Sequence, residues 1–220
     1  MSGSALKPQS AAHLGELYRR FPAVEPCRES VAEACAALIE CFSNQGMVLA
    51  CGNGGSAADA EHLVGELMNR YLLRRPIPQT DADKLRAMAG DDAESLITLL
   101  QRGAPAISLV SQSALSTAIA NDASPEMVFA QQVYGYGRPG DVLIAFSTSG
   151  NSGNVVQAVH VARAKGMRTI GLTGRSGGRL AQLCDTIVCA PADRAFEVQE
   201  LHLPIYHTLC AVVENELFGE

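Results

Sequence analysis

Apolar positions recur at helical spacing early in the chain. Between about residues 25 and 43, Val31, Ala34, Cys35, Leu38 and Cys41-Phe42 form a stripe of the period expected for one buried helix face. A first helical segment precedes it. The pattern then changes to five short apolar runs, 47–51, 106–110, 141–146, 168–172 and 185–189, each too short for a helix and bounded by turn residues. They do not alternate apolar with polar, so they suit strands covered on both faces, as in a parallel sheet. Helical patterns over 57–71, about 125–134 and 152–165 separate most of these runs, and a last helix spans about 196–218. Repeated βα alternation predicts an α/β fold, a doubly wound five-stranded parallel sheet flanked by helices, with N-terminal helices over 1–45.

Residues 73–105 interrupt the alternation. Arg74-Arg75-Pro76-Ile77-Pro78 reads as an extended proline segment, and acidic starts at Asp81-Ala82-Asp83 and Asp91-Asp92 predict one or two short helices. The segment reads as an insertion between the first and second strands of a single domain spanning 1–220.

Composition narrows the class. The chain has 220 residues, 47% of them apolar and 18% charged, enough for one domain with a full core. A net charge of −6 argues against a surface for nucleic acid or for an anionic membrane. No apolar stretch reaches the roughly 20 residues that cross a bilayer. The N-terminus lacks the apolar block of a secretory leader. Seven cysteines, scattered and without a CxxC pair, fit free thiols, with Cys184 and Cys189 as packing residues. These features together predict a cytoplasmic protein.

The candidate chemistry lies in two loops and two helices. Gly52-Asn53-Gly54-Gly55-Ser56 follows the first strand and opens a helix. Glycines there permit a tight turn that aims backbone N–H groups at an anion, and Asn53 and Ser56 add polar side chains and possible caps. The spacing is neither that of a Walker loop nor GxGxxG, and taken alone the loop is equally a plain strand-to-helix connection. Ser147-Thr148-Ser149-Gly150-Asn151-Ser152 follows the third strand and precedes another helix. Its hydroxyls and amide can enclose a phosphate, although a Ser/Thr-rich turn also caps helices. Both loops fall at the carboxyl ends of strands, where open α/β sheets bind ligands, and together they favour a phosphate site. His62 and Glu66, at i and i+4, share a helix face. That pair suits a metal or a proton transfer, and in isolation it is more often a solvated surface pair. Gln199 and His207 are possible partners on the last helix, eight residues and about 12 Å apart along its axis.

The stretches CGNGGSAADAEHLVGEL, STSGNS, LTGRSGG and VQELHLPIYH, in this order, resemble the SIS (sugar isomerase) family, and within it the phosphoheptose isomerase branch. The resemblance runs over roughly 25–218, apart from 73–105, and implies the SIS domain with flavodoxin-like topology. It implies an aldose–ketose isomerase that converts sedoheptulose 7-phosphate to D-glycero-D-manno-heptose 7-phosphate through an enediol, the first step of activated heptose synthesis. It places substrate contacts on Asn53, Gly54, Gly55, Ser56, Glu66, Asn121, Asp122, Ser147, Thr148, Ser149, Ser152 and Gln199. It places the ligands of one zinc ion on His62, Glu66, Gln199 and His207, and the acid/base pair on Glu66 and His207. It further implies a homotetramer with active sites near subunit interfaces.

Three positions depart from the branch. Glu197 stands where close relatives have Arg, Phe196 where they often have Asp, and Gln112 where an Asp is usual; the 73–105 segment is also longer. Other readings of the same motifs are a non-catalytic SIS protein that binds a replication initiator, an amino-sugar phosphate enzyme or sensor, and an isomerase of a related sugar phosphate. The presence of both Glu66 and His207 favours an enzyme over the first. The absence of a basic face over 1–45 argues against a DNA-binding sensor.

Overall fold

The computed structural model describes residues 6–219. The first five residues of the predicted N-terminal helical region, and of the stretch read for a leader, lie outside the described residues, as does Glu220. The chain runs α1 (Pro8–Arg20), a 3-10 turn Pro22–Cys27, α2 (Arg28–Ser43), β1 (Val48–Cys51) and α3 (Gly55–Met68). Next come α4 (Gln79–Met88), a 3-10 turn Gly90–Asp92, α5 (Ala93–Leu99) and β2 (Ala106–Ser108). Then follow α6 (Ser113–Asp122), a 3-10 turn Pro125–Met127, α7 (Val128–Tyr136), β3 (Val142–Phe146) and α8 (Gly153–Ala164). The chain closes with β4 (Arg168–Thr173), α9 (Leu180–Leu183), β5 (Thr186–Cys189) and α10 (Ala195–Phe218).

All five strands are parallel, in the order β2-β1-β3-β4-β5. Every residue of β1 and β3 is buried, because both faces of the sheet are covered. Successive side chains of a strand point to opposite faces. Val48, Ala50, Ile144 and Phe146 therefore join Leu38, Leu63, Ile205 and Leu209 in the core beneath α2, α3 and α10. Leu49, Leu143 and Ala145 join Val133, Val156 and Val159 beneath α7 and α8. Burying one such aliphatic side chain contributes about 1.5–3 kcal/mol, so the two-sided core accounts for the continuous apolar runs. Among the described residues, no helix is long and apolar enough to cross a membrane.

Two helices have no counterpart in the sequence reading. α6 is made of SALSTAIAND, whose only buried side chain is Ile119, so no apolar stripe marks it. α9 is a single four-residue turn. The 73–105 segment does contain the extended stretch and two helices expected of it. Its ends are tied together: Pro76 and Gln101 form an antiparallel bridge, Arg102 N–H donates to the Arg75 carbonyl at 2.7 Å, and Arg75 N–H donates to Gln101 Oε1 at 2.8 Å. α4 and α5 fold back on each other with an Arg86–Glu94 pair between them, leaving Met88 and Leu99 90% and 74% exposed.

Candidate functional site

Strand order reverses on either side of β1, which puts the switch point of the sheet between β1 and β3. The loops leaving the carboxyl ends of these two neighbours open into one crevice, the usual ligand position in such sheets. Asn53 and Asn154 join the loops through a reciprocal amide pair, with Nδ2 to Oδ1 distances of 2.8 and 3.0 Å. Gly55 begins α3 with the Gln199 side chain lying directly over it. A Cβ there would come within 2.5 Å of Gln199 Nε2, so this position accepts glycine for the sake of α10's approach.

The second loop is folded by its own polar groups. The Ser147 and Ser152 hydroxyls are 3.0 Å apart, Asn151 N–H donates to Ser149 Oγ at 3.1 Å, and Asn151 Nδ2 donates to the Ser149 carbonyl at 2.8 Å. Gly150 has φ +67°, and any Cβ on it would collide with the Gly177 carbonyl. The 172–178 stretch thus packs against the loop from outside. Gly174 N–H donates to the Thr148 carbonyl at 2.9 Å, and Leu180 N–H to that of Gly150 at 3.1 Å. Ser147 is buried, Thr148 and Ser152 are half-buried, and Ser149 is exposed at the rim. Neutral hydroxyls and the N-terminus of α8 make a cradle suited to a phosphate.

α3 and α10 then descend side by side from these loops. Two turns below Gly55, His62 Nε2 lies 3.1 Å from Glu66 Oε1 and 3.4 Å from His207 Nε2. One ligand atom from each of the three residues lies within 4.8 Å of the others. Two imidazoles and a carboxylate at this separation fit a borderline divalent ion such as zinc with modest closing of the side chains. Burial and the neighbouring His62 ring hold His207 below the ordinary imidazole range, while Glu66 opposes them. His207 also borders an open cavity of about 430 Å³ edged by Leu17, Arg20, Tyr71 and Leu203.

Several residues that fix this cluster are absent from the sequence reading. Arg75, read only as part of an extended segment, is 1% exposed. Its guanidinium donates to the carbonyls of Leu67 at 2.7 Å and Glu66 at 3.0 Å, so it caps the end of α3. The same guanidinium pairs with Glu214 at 2.7 Å, whose carboxylate also accepts from the N–H groups of Tyr71, Leu72 and Leu73. Tyr206, beside His207, places its hydroxyl 2.9 Å from His62 Nδ1. The sequence signal for Arg75 and Glu214 was slight: two charged residues 139 positions apart.

The remaining expected contacts lie elsewhere. Asn121 and Asp122 are exposed at the end of α6, where Asn121 Nδ2 donates to Asp122 Oδ1 at 2.8 Å. Gln112 precedes α6, and its carbonyl accepts from Ser116 N–H at 2.8 Å. Phe196 is 53% exposed, and Glu197 pairs with Arg194.

The SIS domain family matches residues 16–89 and 87–174, and the chain belongs to it. The chain is 38% identical to a phosphoheptose isomerase of Rhodospirillum rubrum, over 87% of this chain and 88% of that one. It is 39% identical to one from Thiobacillus denitrificans, over 91% and 90% of the two chains. The solved phosphoheptose isomerase of Neisseria gonorrhoeae superposes with a TM-score of 0.72 at 34% identity, covering 94% of this chain and 97% of that one. Within the SIS proteins, then, the chain belongs to the phosphoheptose isomerases and is an aldose–ketose isomerase.

Proposed function

We propose that this protein interconverts sedoheptulose 7-phosphate and D-glycero-D-manno-heptose 7-phosphate, at the head of activated heptose synthesis. The observation that carries the reading is the cluster of Glu66, His62 and His207, with the His62 ring between the other two, below a pair of loops suited to a phosphate. Ser147, Thr148, Ser149 and Ser152 hold the phosphate, and Asn53, Gly54, Gly55 and Ser56 close the crevice from the other side. Fixing the phosphate fixes the reacting carbons, which converts binding into orientation. Asn121 and Asp122 are assigned to the sugar hydroxyls on the resemblance alone.

Isomerisation moves a proton between C1 and C2 and another between their oxygens. Glu66 carries the carbon proton: one carboxylate oxygen takes it from one carbon and returns it to the other face-on, through a cis-enediol. His207 serves the oxygens, and burial with the neighbouring His62 ring lowers its proton affinity. His62, Glu66 and His207 would hold one zinc ion, with Gln199, whose side chain lies over Gly55, as the fourth ligand and a substrate contact on the resemblance. The ion's contribution when bound is Lewis-acid polarisation of the carbonyl.

The same reading makes the protein a cytoplasmic homotetramer. Seven free cysteines, five of them buried, support a reducing compartment. The open cavity beside His207, lined by Leu17, Phe21 and Leu203 together with Glu16, Arg20 and Glu200, supports a subunit contact next to the site. The test is turnover of sedoheptulose 7-phosphate with added zinc, with chelator, and by Glu66→Gln. Activity in the wild type that falls roughly 10²–10⁴-fold in the variant is expected. A folded, zinc-supplied protein that leaves this ketose untouched would refute the substrate assignment.

A further inference from the structure

His62 presents its two ring nitrogens to different surroundings. Nε2 faces Glu66 and His207, at 3.1 and 3.4 Å, whereas Nδ1 faces away, 2.9 Å from the Tyr206 hydroxyl. A neutral imidazole carries one proton, so what Tyr206 does decides which nitrogen is free. Tyr206 is 1% exposed, and its ring stands edge-on to Phe146 at 5.9 Å and to His62 at 5.5 Å, which leaves the hydroxyl oxygen little room to wander.

The hydroxyl has a second neighbour in Asp59, one turn before His62 on α3. Asp59 Oδ2 is buried and takes no hydrogen bond as the groups stand, which leaves it in need of a donor. A buried carboxylate oxygen left without a donor is unfavourable, so the single tyrosine proton turns to Asp59. The tyrosine oxygen is then an acceptor, and the only proton it can accept from this side is that on His62 Nδ1. We infer that Tyr206 is a positioning residue that, backed by Asp59, fixes His62 as the Nδ1–H tautomer and leaves Nε2 bare toward Glu66 and His207. This is the arrangement by which outer carboxylates orient metal-binding histidines, here with a phenol interposed. The inference rests on the proposed metal site for its purpose, but the tautomer itself exists without metal.

The test is Tyr206→Phe, which keeps the packed ring and removes only the hydroxyl. In metal-free protein at a pH where His62 is neutral, ¹⁵N chemical shifts should show a protonated Nδ1 in the wild type. In the variant they should move toward the Nε2–H form that free imidazole side chains prefer. Zinc affinity, read by competition with a chromophoric chelator, should fall roughly 10–100-fold. Asp59→Asn should shift both readouts in the same direction by less. A wild type already in the Nε2–H form, or a variant whose tautomer and zinc affinity are unchanged, overturns the inference. If the wild type binds no zinc at all, the metal reading fails. The tautomer comparison then decides the positioning role by itself.

Discussion

The two ends of α3 are held by opposite means. At its start, near Gly55, neutral groups do the work: an asparagine pair, hydroxyls, backbone N–H groups, and a glycine that admits Gln199. At its end, beyond Glu66, a fully buried ion pair between Arg75 and Glu214 ties the last carbonyls of the helix to the 71–75 segment and to α10. The contrast follows from what each end must meet. On the proposed function the first receives a dianion and releases it, so weak, numerous dipoles suit it. The second has to keep the Glu66 carboxylate still. There charge can be sealed away, provided every donor and acceptor is satisfied.

The sharpest way to break this comparison is Arg75→Met, which strands Glu214 in the core. The expected loss is about 3–5 kcal/mol of stability in urea unfolding, because an uncompensated buried carboxylate remains. Arg75→Met with Glu214→Leu should recover most of that stability. Its turnover should stay depressed, since nothing then caps the carbonyls of Glu66 and Leu67. Full activity in the double variant would reduce the ion pair to packing.

A smaller effect separates α10's upper half by pH. His202 is completely buried, 3.1 Å from the Thr173 carbonyl, and burial pushes it down to about 4 from an unfolded value of 6.5. The unfolded chain therefore binds the extra proton first. This contribution to stability is complete above about pH 6.5 and fades as pH falls toward 4, by about 3 kcal/mol in all. Asp59 runs the other way, since burial raises its carboxyl to about 6 and favours the folded state at lower pH. His202→Asn should remove the histidine part, so the wild-type-minus-variant difference should decline below pH 6.5. A difference flat in pH would show that His202 is not buried neutral.

At the loop end, Gly150→Ala forces a side chain into a left-handed conformation against the Gly177 carbonyl. We expect a cost of about 1–3 kcal/mol in stability and a raised KM, measured by thermal shift and steady-state kinetics. The mildest test is Asn53→Ala, which opens an exposed amide pair. About 1 kcal/mol or less should be lost, with KM rising more than kcat falls. A kcat effect as large as that of Glu66→Gln would mean that the neutral end shares in the chemistry.

The same contrast explains how much could be read in advance. The strands, α3, α8 and the hydroxyl-rich loop were legible because each is written in a continuous stretch, an apolar run or a turn followed by a stripe. Their burial on both faces left no ambiguity of period. His62 and Glu66 were legible as one face of a helix, and His207 through its motif. α6 was not, since small residues with one buried isoleucine carry no stripe. Nor were Arg75 with Glu214, or Tyr206 with His62, 139 and 144 positions apart. A charged or phenolic side chain has no local signature of being buried. Only the parallel descent of α3 and α10 brings these partners together.

That descent also has a consequence in time. His207, Tyr206 and Glu214 all belong to α10, which lies against α1, α2 and α3. A growing polypeptide on the ribosome therefore carries the sheet and both loops long before it owns a complete cluster. Until residue 218 has emerged, Arg75 has no counterion and one flank of the nascent domain is bare oil. The final helix is a keystone, and a pause or truncation before it yields a chain with every strand of the fold and only the α3 half of the cluster.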